Sequence, residues 1–223
     1  MSTLAQIRAR VALMLQDTGA AIFTAALIDE SITQALDQYN AVNPQGKETV
    51  IVLPGDGREI ALDSITGLTR VIEVWWPYDS DATAETWPPN RVKGWRLWWD
   101  DARPVLFLDT TDQSEPQTDD EVRVWYIIPH TIQDLASAAA TTLLAEHESL
   151  IVLGAAGHAA MSRTVDLVET AGTDLYAIGL LGTWGQRKLR EFQAELKKIQ
   201  EGASRSGPAW GEGWALDKWD SAR

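Results

Sequence analysis

Residues able to do acid–base or metal chemistry are sparse in this 223-residue chain. His147 and Glu148 stand together, but the HExxH pattern of zinc peptidases needs a second histidine at position 151, where the chain has Ile151. His158 would share a helix face with His147, yet a rise of about 1.5 Å per residue separates the two by roughly 16 Å. We therefore expect no zinc site at these histidines.

An acidic stretch offers a second possible metal site. Asp79, Asp81 and Thr83 have the spacing of the first three ligands in a calcium-binding loop. Ala84 stands where that loop requires glycine, however, and Asn90 stands where it requires a bidentate glutamate. These substitutions favour an acidic, solvated loop over a calcium site.

Motifs for phosphate binding or hydrolysis are also missing from the sequence. The glycines at positions 179, 182 and 185 lack the GxGxxG spacing and follow no predicted strand. No Ser-His-Asp or paired-carboxylate pattern has a specific spacing, and the chain has no cysteine for a disulfide or a thiolate metal site. The sequence thus predicts a protein that is not an enzyme and that uses no metal or cofactor.

Tryptophan is the unusual residue of this chain, with eleven copies concentrated in its middle part and near its C terminus. Adjacent strand residues point to opposite faces, so the pairs Trp75-Trp76 and Trp98-Trp99 place indole rings on both sides of a sheet. We expect one member of each pair in the core and the other against a partner, which is another copy, a different protein or a stacked sugar. The candidate partner-binding residues in this region are Trp76, Trp87 and Trp99.

Hydrophobic spacing divides the chain into parts that must position these residues. Residues 1–46 predict a helical hairpin, with helices over residues 3–17 and 24–43 and Thr24 as the second N-cap. Residues 47–128 have period two and predict one antiparallel sheet or a small barrel. Its first two strands flank Pro-Gly-Asp-Gly and predict a β-hairpin. The predicted strands are residues 49–53, 58–62, 69–76, 94–99, 104–108 and 121–128.

Residues 129–201 return to helical spacing and are predicted to complete a bundle. The most apolar helix covers residues 145–167, where Gly154 and Gly157 each cost roughly 1 kcal/mol relative to alanine. Their presence predicts that another backbone packs closely there. Weaker helical character is predicted over residues 132–144, a loop or bent segment over 171–185 and a last helix over 183–201.

Residues 202–223 have no sustained period and predict a flexible C-terminal arm. Trp210, Trp214 and Trp219 are spaced so that each can enter a separate cleft of a partner, and tryptophan is enriched at interface hot spots. The fold class is therefore α+β: a helical bundle with an inserted antiparallel β-sheet or small β-barrel domain and an extended C-terminal arm.

Charge and hydropathy limit the partners of the chain. Its formal net charge of −13 argues against a grip on duplex DNA, which needs basic residues to replace counterions. The sequence has no basic-then-apolar leader and no apolar run of membrane-spanning length, so we expect neither secretion nor a membrane partner. With 45% hydrophobic residues it predicts a folded protein with a sizeable core.

The order of parts resembles the head-tail connector proteins, also called adaptors, that tailed bacteriophages dock beneath the portal. The resemblance covers residues 4–201 and lies in the phrases LIDESITQALDQYN, ALDSITGLTRVIEVWWP and YIIPHTIQDLASAAATTLLAEHESLIVLGAAGHAAMSR. It implies a structural virion protein of the neck, made in the host cytoplasm, whose copies form a typically dodecameric ring between portal and tail. Genomic DNA would pass through the ring without specific binding.

The resemblance further implies that the C-terminal arm engages the portal protein, here through Trp210, Trp214 and Trp219. The β part would meet tail or neck proteins. Two alternatives stay open at the level of sequence: a tail-tube or tail-completion protein of the virion, and a carbohydrate-binding module that uses tryptophans as stacking platforms.

Overall fold

The computed structural model describes residues 2–19, 21–80, 91–101, 103–109, 115–168 and 174–206, with side chains described as far as residue 202. The chain divides into two compact units. The helical unit combines Met1–Asn43 with His130–Arg223, and the β unit is Pro44–Pro129. The predicted α+β fold class is confirmed. Within the described ranges, no helix has the length and apolar character needed to cross a membrane.

Over its described residues the helical unit has four α-helices: α1 (Leu4–Met14), α2 (Ala25–Val42), α3 (Glu148–Val168) and α4 (Leu175–Ser206). Thr3 and Gln6 form a capping box at the start of α1, and the Thr24 side chain accepts the Leu27 N–H at the start of α2. Thr24 is therefore the N-cap that the sequence predicts. The core residues of all four helices come together in one apolar cluster.

The turn between α1 and α2 is built around a buried carboxylate. Asp17 accepts the backbone N–H groups of Phe23, Ile22 and Ala21 at 2.7, 2.8 and 3.0 Å. These hydrogen bonds, with Phe23 first, lower the pKa of Asp17 although burial opposes the shift. The side chain thus fixes the path of the chain between the two helices.

Two sequence expectations for the helical unit are wrong. Helix α4 begins at Leu175 and runs through Gly179, Gly182 and Gly185, so most of the predicted loop over residues 171–185 is helical. Gly182 and Gly185 are buried against α3, where packing offsets their low helix propensity.

The segment over residues 132–144 is not an α-helix and contains only the 3₁₀ turn Leu135–Ser137. Its threonines bond to backbone groups instead of leaving them to a helix. The Thr142 hydroxyl accepts the Thr131 N–H at 2.8 Å, and the Thr141 hydroxyl accepts the Gln133 N–H at 2.8 Å. The expected weak helix is therefore replaced by an irregular segment whose beginning and end are joined by these hydrogen bonds.

In the described part of the β unit, the strands form two three-stranded antiparallel sheets. Sheet I has the order β1-β6-β3, and sheet II has the order β2-β5-β4. The strands are β1 (Gln45–Val52), β2 (Glu59–Ala61), β3 (Arg70–Tyr78), β4 (Gly94–Asp100), β5 (Arg103–Asp109) and β6 (Glu121–Ile128). The inner faces of both sheets contribute to one apolar core.

The predicted hairpin over residues 49–62, and with it the single sheet, is wrong. Strand β1 pairs with β6, whereas β2 pairs with β5 of the other sheet. The connecting loop bonds elsewhere: Asp56 accepts the Thr118 N–H and hydroxyl at 2.7 and 2.8 Å, and Gly57 donates to the Pro116 carbonyl. The Pro-Gly-Asp-Gly loop therefore connects the two sheets and does not close a hairpin.

Candidate functional site

Helices α3 and α4 pack closely against each other at several glycines, and we call this contact the seam. A methyl group on Gly157 would lie 2.9 Å from the Leu189 side chain and 3.2 Å from its backbone nitrogen, and one on Gly154 would lie 3.0 Å from the Phe192 ring. Further along, a methyl group on Gly182 would meet Thr164 at 3.4 Å. As the residue number increases along α3, the number of the facing residue on α4 decreases. The two helices therefore form an antiparallel hairpin.

The far end of this hairpin carries exposed apolar side chains, which we call the tip surface. Its members lie in the last turn of α3 and the first turns of α4, and each is more than half exposed. They are Val165, Val168, Leu175, Tyr176 and Leu180. An open concavity of about 550 Å³ continues the surface along α4 and is lined by Leu180, Leu181, Thr183, Trp184 and Arg187.

The opposite end of the hairpin carries a second concavity, which we call the base surface. It measures about 410 Å³ and lies where the start of α3 meets the C-terminal half of α4 and the end of α1. Its lining residues are Met14, Glu146, His147, Ser149, Leu150, Leu153, Glu195 and Ile199. The base surface therefore combines an apolar floor with acidic side chains.

His147 lies at the edge of the base surface and belongs to a structural hydrogen-bond chain. The Asn43 amide donates to the Tyr39 hydroxyl at 2.6 Å, and that hydroxyl lies 2.6 Å from His147 Nδ1. Tyr39 and His147 share one hydrogen bond, whose donor is set by the histidine tautomer. Burial raises the pKa of Tyr39 and keeps it protonated. This chain of hydrogen bonds links helix α2 to the turn that precedes α3.

The rings of the other two histidines of the helical unit are also held by hydrogen bonds. The His130 ring donates from Nδ1 to the Thr142 carbonyl at 2.9 Å, and His158 Nε2 lies 3.1 Å from the Gln38 amide. Burial lowers the pKa of both rings, so they are neutral at pH 7. Among the residues that the structure describes, no three metal-ligating side chains come together.

Glu148 ties the start of the chain to the start of α3. Its carboxylate accepts the Ser2 N–H and hydroxyl, each at 2.7 Å, and lies 3.0 Å from an Arg10 nitrogen. Burial alone would raise the pKa of Glu148, but the Ser2 hydrogen bonds and the Arg10 charge hold it below its ordinary value. The group is a structural anion at a helix N-terminus.

The outer face of sheet I carries an aromatic cluster around one cation. The Arg123 guanidinium lies 4.5 Å from the ring centre of Trp125, 5.2 Å from Tyr78 and 5.4 Å from Trp75. It also bonds to Glu48 at 2.6 Å. The Trp75 and Trp125 rings are 4.1 Å apart and inclined by 50°. Their faces are therefore occupied by each other and by the guanidinium.

The tryptophans of the β unit do not divide as the sequence predicts. Trp76 is 2% exposed and donates its ring N–H to Asp120 at 3.2 Å, so its assignment to the partner-binding face is wrong. Trp75 takes the other side of the sheet. In the second pair both Trp98 and Trp99 are exposed, because the apolar core ends before this end of β4. Trp98 stacks on Phe107, with ring centres 5.7 Å apart.

The remaining candidate tryptophans, Trp87, Trp210, Trp214 and Trp219, lie outside the described residues. Sequence reasoning missed the tip surface because residues 171–185 were interpreted as a loop. The signal was available: Tyr176, Leu180 and Trp184 recur every four residues. It also missed Arg123, although its position two residues before Trp125 on one strand places both side chains on the same face.

No protein-family model matches the chain, and curated protein sequences give no match. Among solved structures, a chain from "Neck of empty GTA particle computed with C6 symmetry" is 17% identical, with 81% of this chain and 87% of that chain covered and a TM-score of 0.31. Chains from "Virion of native gene transfer agent (GTA) particle" and "Neck of native GTA particle computed with C12 symmetry" are also 17% identical, with TM-scores of 0.32 and 0.30. Each covers 81% of this chain and 86% of its own.

Proposed function

We propose that this chain is a structural protein of the neck of a phage-like virion. Its copies form a ring between the portal and the tail, and the ring extends the channel through which DNA passes. The observation that carries the proposal is the tip surface: a cluster of apolar side chains on a helical unit that already has a complete core. Exposed apolar clusters of this kind are typical of surfaces that are covered in an assembly.

The element order supports the same role. The helical unit is built from residues on both sides of the β unit, as in the arrangement that carries the resemblance to connector proteins. Charge fits a channel that DNA crosses without being held. A formal charge of −13 on each subunit, repeated around an axis, repels phosphate instead of binding it.

The partners follow from the parts of the chain. We assign the portal contact to the C-terminal arm with Trp210, Trp214 and Trp219, and the contact with tail or neck proteins to the β unit. In that unit Trp98 and Trp99 are exposed at the end of the edge strand β4. Tryptophans at the centre of an interface often cost 2 kcal/mol or more when truncated.

The aromatic cluster of sheet I does not favour the carbohydrate-binding alternative. A stacking platform needs an open ring face, and the Trp75 and Trp125 rings face Arg123 and each other. A tail-tube or tail-completion protein would also form rings, so the two virion roles differ in the partner that they bind.

The test uses the full-length protein, alone and with a purified portal protein. Native mass spectrometry and negative-stain images should reveal rings that stack on the portal. A second sample lacking residues 207–223, which leaves α4 complete to Ser206, should still form rings but should lose the portal. Monomers in every mixture would contradict the proposal, and unchanged portal binding by the shortened chain would remove the arm from it.

A further inference from the structure

We propose that the helical unit binds a second copy of itself head to tail, with the tip surface of one copy seated on the base surface of the next. This inference rests on the proposed ring and names the two surfaces that form it. Neither surface was used to derive the ring from the sequence.

Helix α4 has apolar side chains on two faces. One face packs on α3 through Gly182, Gly185, Leu189 and Phe192. The other follows Tyr176, Leu180, Thr183 and Arg187, positions that a helix of 3.6 residues per turn places on roughly the opposite side. Tyr176 and Leu180 are exposed there. The first turns of α4 are therefore apolar on both sides and are expected to be covered on both.

The two surfaces lie at opposite ends of one antiparallel hairpin. The tip surface lies beyond the contact of Gly182 with Thr164, and the base surface lies beyond the contact of Gly154 with Phe192. When unlike surfaces bind, each new copy leaves one of each kind free, so the contact repeats in one direction and closes into a ring if the rotation permits. A contact of tip with tip would stop at a dimer.

Charge favours the pairing of tip with base. Arg187 lines the tip concavity with 65% of its side chain exposed, and its nearest acidic partner, Glu191, is 3.9 Å away. Glu146 lines the base concavity with 75% of its side chain exposed. The other acidic residue of the base, Glu195, is already bonded to Lys198 at 2.5 Å. Glu146 is therefore the carboxylate that an incoming Arg187 meets.

The apolar parts also correspond. The base concavity has Met14, Leu153 and Ile199 on its floor, and Leu13 and Leu144 are exposed in the same unit. The tip offers the branched and aromatic side chains of Leu175, Tyr176 and Leu180. Seating the tip there would remove apolar area from water on both copies, which is the main driving term for association.

The experiment exchanges the two charges in the full-length chain. Arg187→Glu and Glu146→Arg should each raise the concentration at which half of the protein is assembled by about tenfold or more, and the double variant should return it close to wild type. Both side chains are exposed, so far-UV circular dichroism should be unchanged. Assembly is measured by sedimentation velocity, with portal present if the wild type needs it.

A matched pair tests the apolar part. Leu180→Ser removes an apolar side chain from the tip, whereas Val52→Ser removes one of the same 55% exposure from the β unit. Only the first should weaken assembly. Rings that persist in both single charge variants, a double variant that stays dissociated, or a loss in Val52→Ser alone would overturn the head-to-tail contact and leave the ring in place. A wild-type protein that forms no ring would instead overturn the proposed function.

Discussion

Replacing Gly157 by alanine should separate the packing of α3 on α4 from the helix propensity of glycine. The added methyl group would lie 2.9 Å from Leu189 Cδ2 and 3.2 Å from the Leu189 backbone nitrogen. The side chain can move by a rotamer change, but the backbone of α4 can move only as a whole. Gly179 provides the control, because nothing lies within 4 Å of a methyl group at that position.

The magnitude follows from two opposing effects. In both variants alanine favours the helix by about 1 kcal/mol relative to glycine. At Gly157 alone the methyl group overpacks the seam, which costs typically about 1–3 kcal/mol. Propensity cancels in the comparison, so Gly157→Ala should have a free energy of unfolding about 1–3 kcal/mol lower than Gly179→Ala. At Gly182 the methyl group would meet Thr164 at 3.4 Å, an ordinary van der Waals contact, so Gly182→Ala should be about as stable as Gly179→Ala.

The assay is denaturant unfolding followed by circular dichroism at 222 nm, which reports the helical unit. Gly179→Ala should be at least as stable as wild type, and Gly157→Ala should be the least stable of the three. Equal free energies for Gly157→Ala and Gly179→Ala would mean that the two helices do not approach as closely as the structure has them, and would refute the reasoning.

Three further outcomes are expected. Asp17→Asn should lower the free energy of unfolding at pH 7 and make that free energy depend less on pH in acid. The lowered pKa of Asp17 contributes stability that is present above the ordinary pKa of 3.8 and is lost as the pH falls through the pKa of the folded protein. Denaturant unfolding at a series of pH values measures this. His158→Gln should make the free energy of unfolding fall less steeply below pH 6.5. Burial lowers the pKa of His158, so the neutral ring contributes its full stability only above the ordinary pKa of 6.5. The same series of unfolding measurements checks it. Arg123→Met should lower the melting temperature of the β unit by removing about 1–2 kcal/mol of cation–π and ion-pair stabilisation, whereas Arg96→Met, at an exposed arginine of the same unit, should not, and near-ultraviolet circular dichroism compares them.

Local signals predicted the parts of the fold that depend on neighbouring residues. The N-cap at Thr24 and the apolar spacing of α2 and α3 gave the helices within a few residues of their observed ends. They did so because a helix end and a helix face are determined within a turn or two of sequence.

The errors arose where distant residues decide the structure. The loop around Asp56 has the composition of a hairpin turn, but Asp56 bonds to Thr118, and the strand that follows the loop pairs in the second sheet. Gly182 and Gly185 break helices in isolation, yet α3 packs against them. Trp75 and Trp76 could not be assigned to faces from sequence. Adjacent strand residues point to opposite faces, but this rule does not say which of the two faces the core.

The register of β1 against β6 brings the two ends of the β unit together, and this shortens the closure that the helical unit must make. Helices α1 and α2 leave the ribosome before the β unit exists, and α3, which packs on α2, follows only after it. Holding residues 44 and 129 together in an unfolded intervening chain would cost roughly 4 kcal/mol of loop entropy. Gln45 pairs with Ile128 at the end of that ladder, so once sheet I forms, the two chain ends emerge about 5 Å apart. The second half of the helical unit, which is synthesised last, then begins beside the first half. The two halves need to close only a short gap instead of a long unfolded loop.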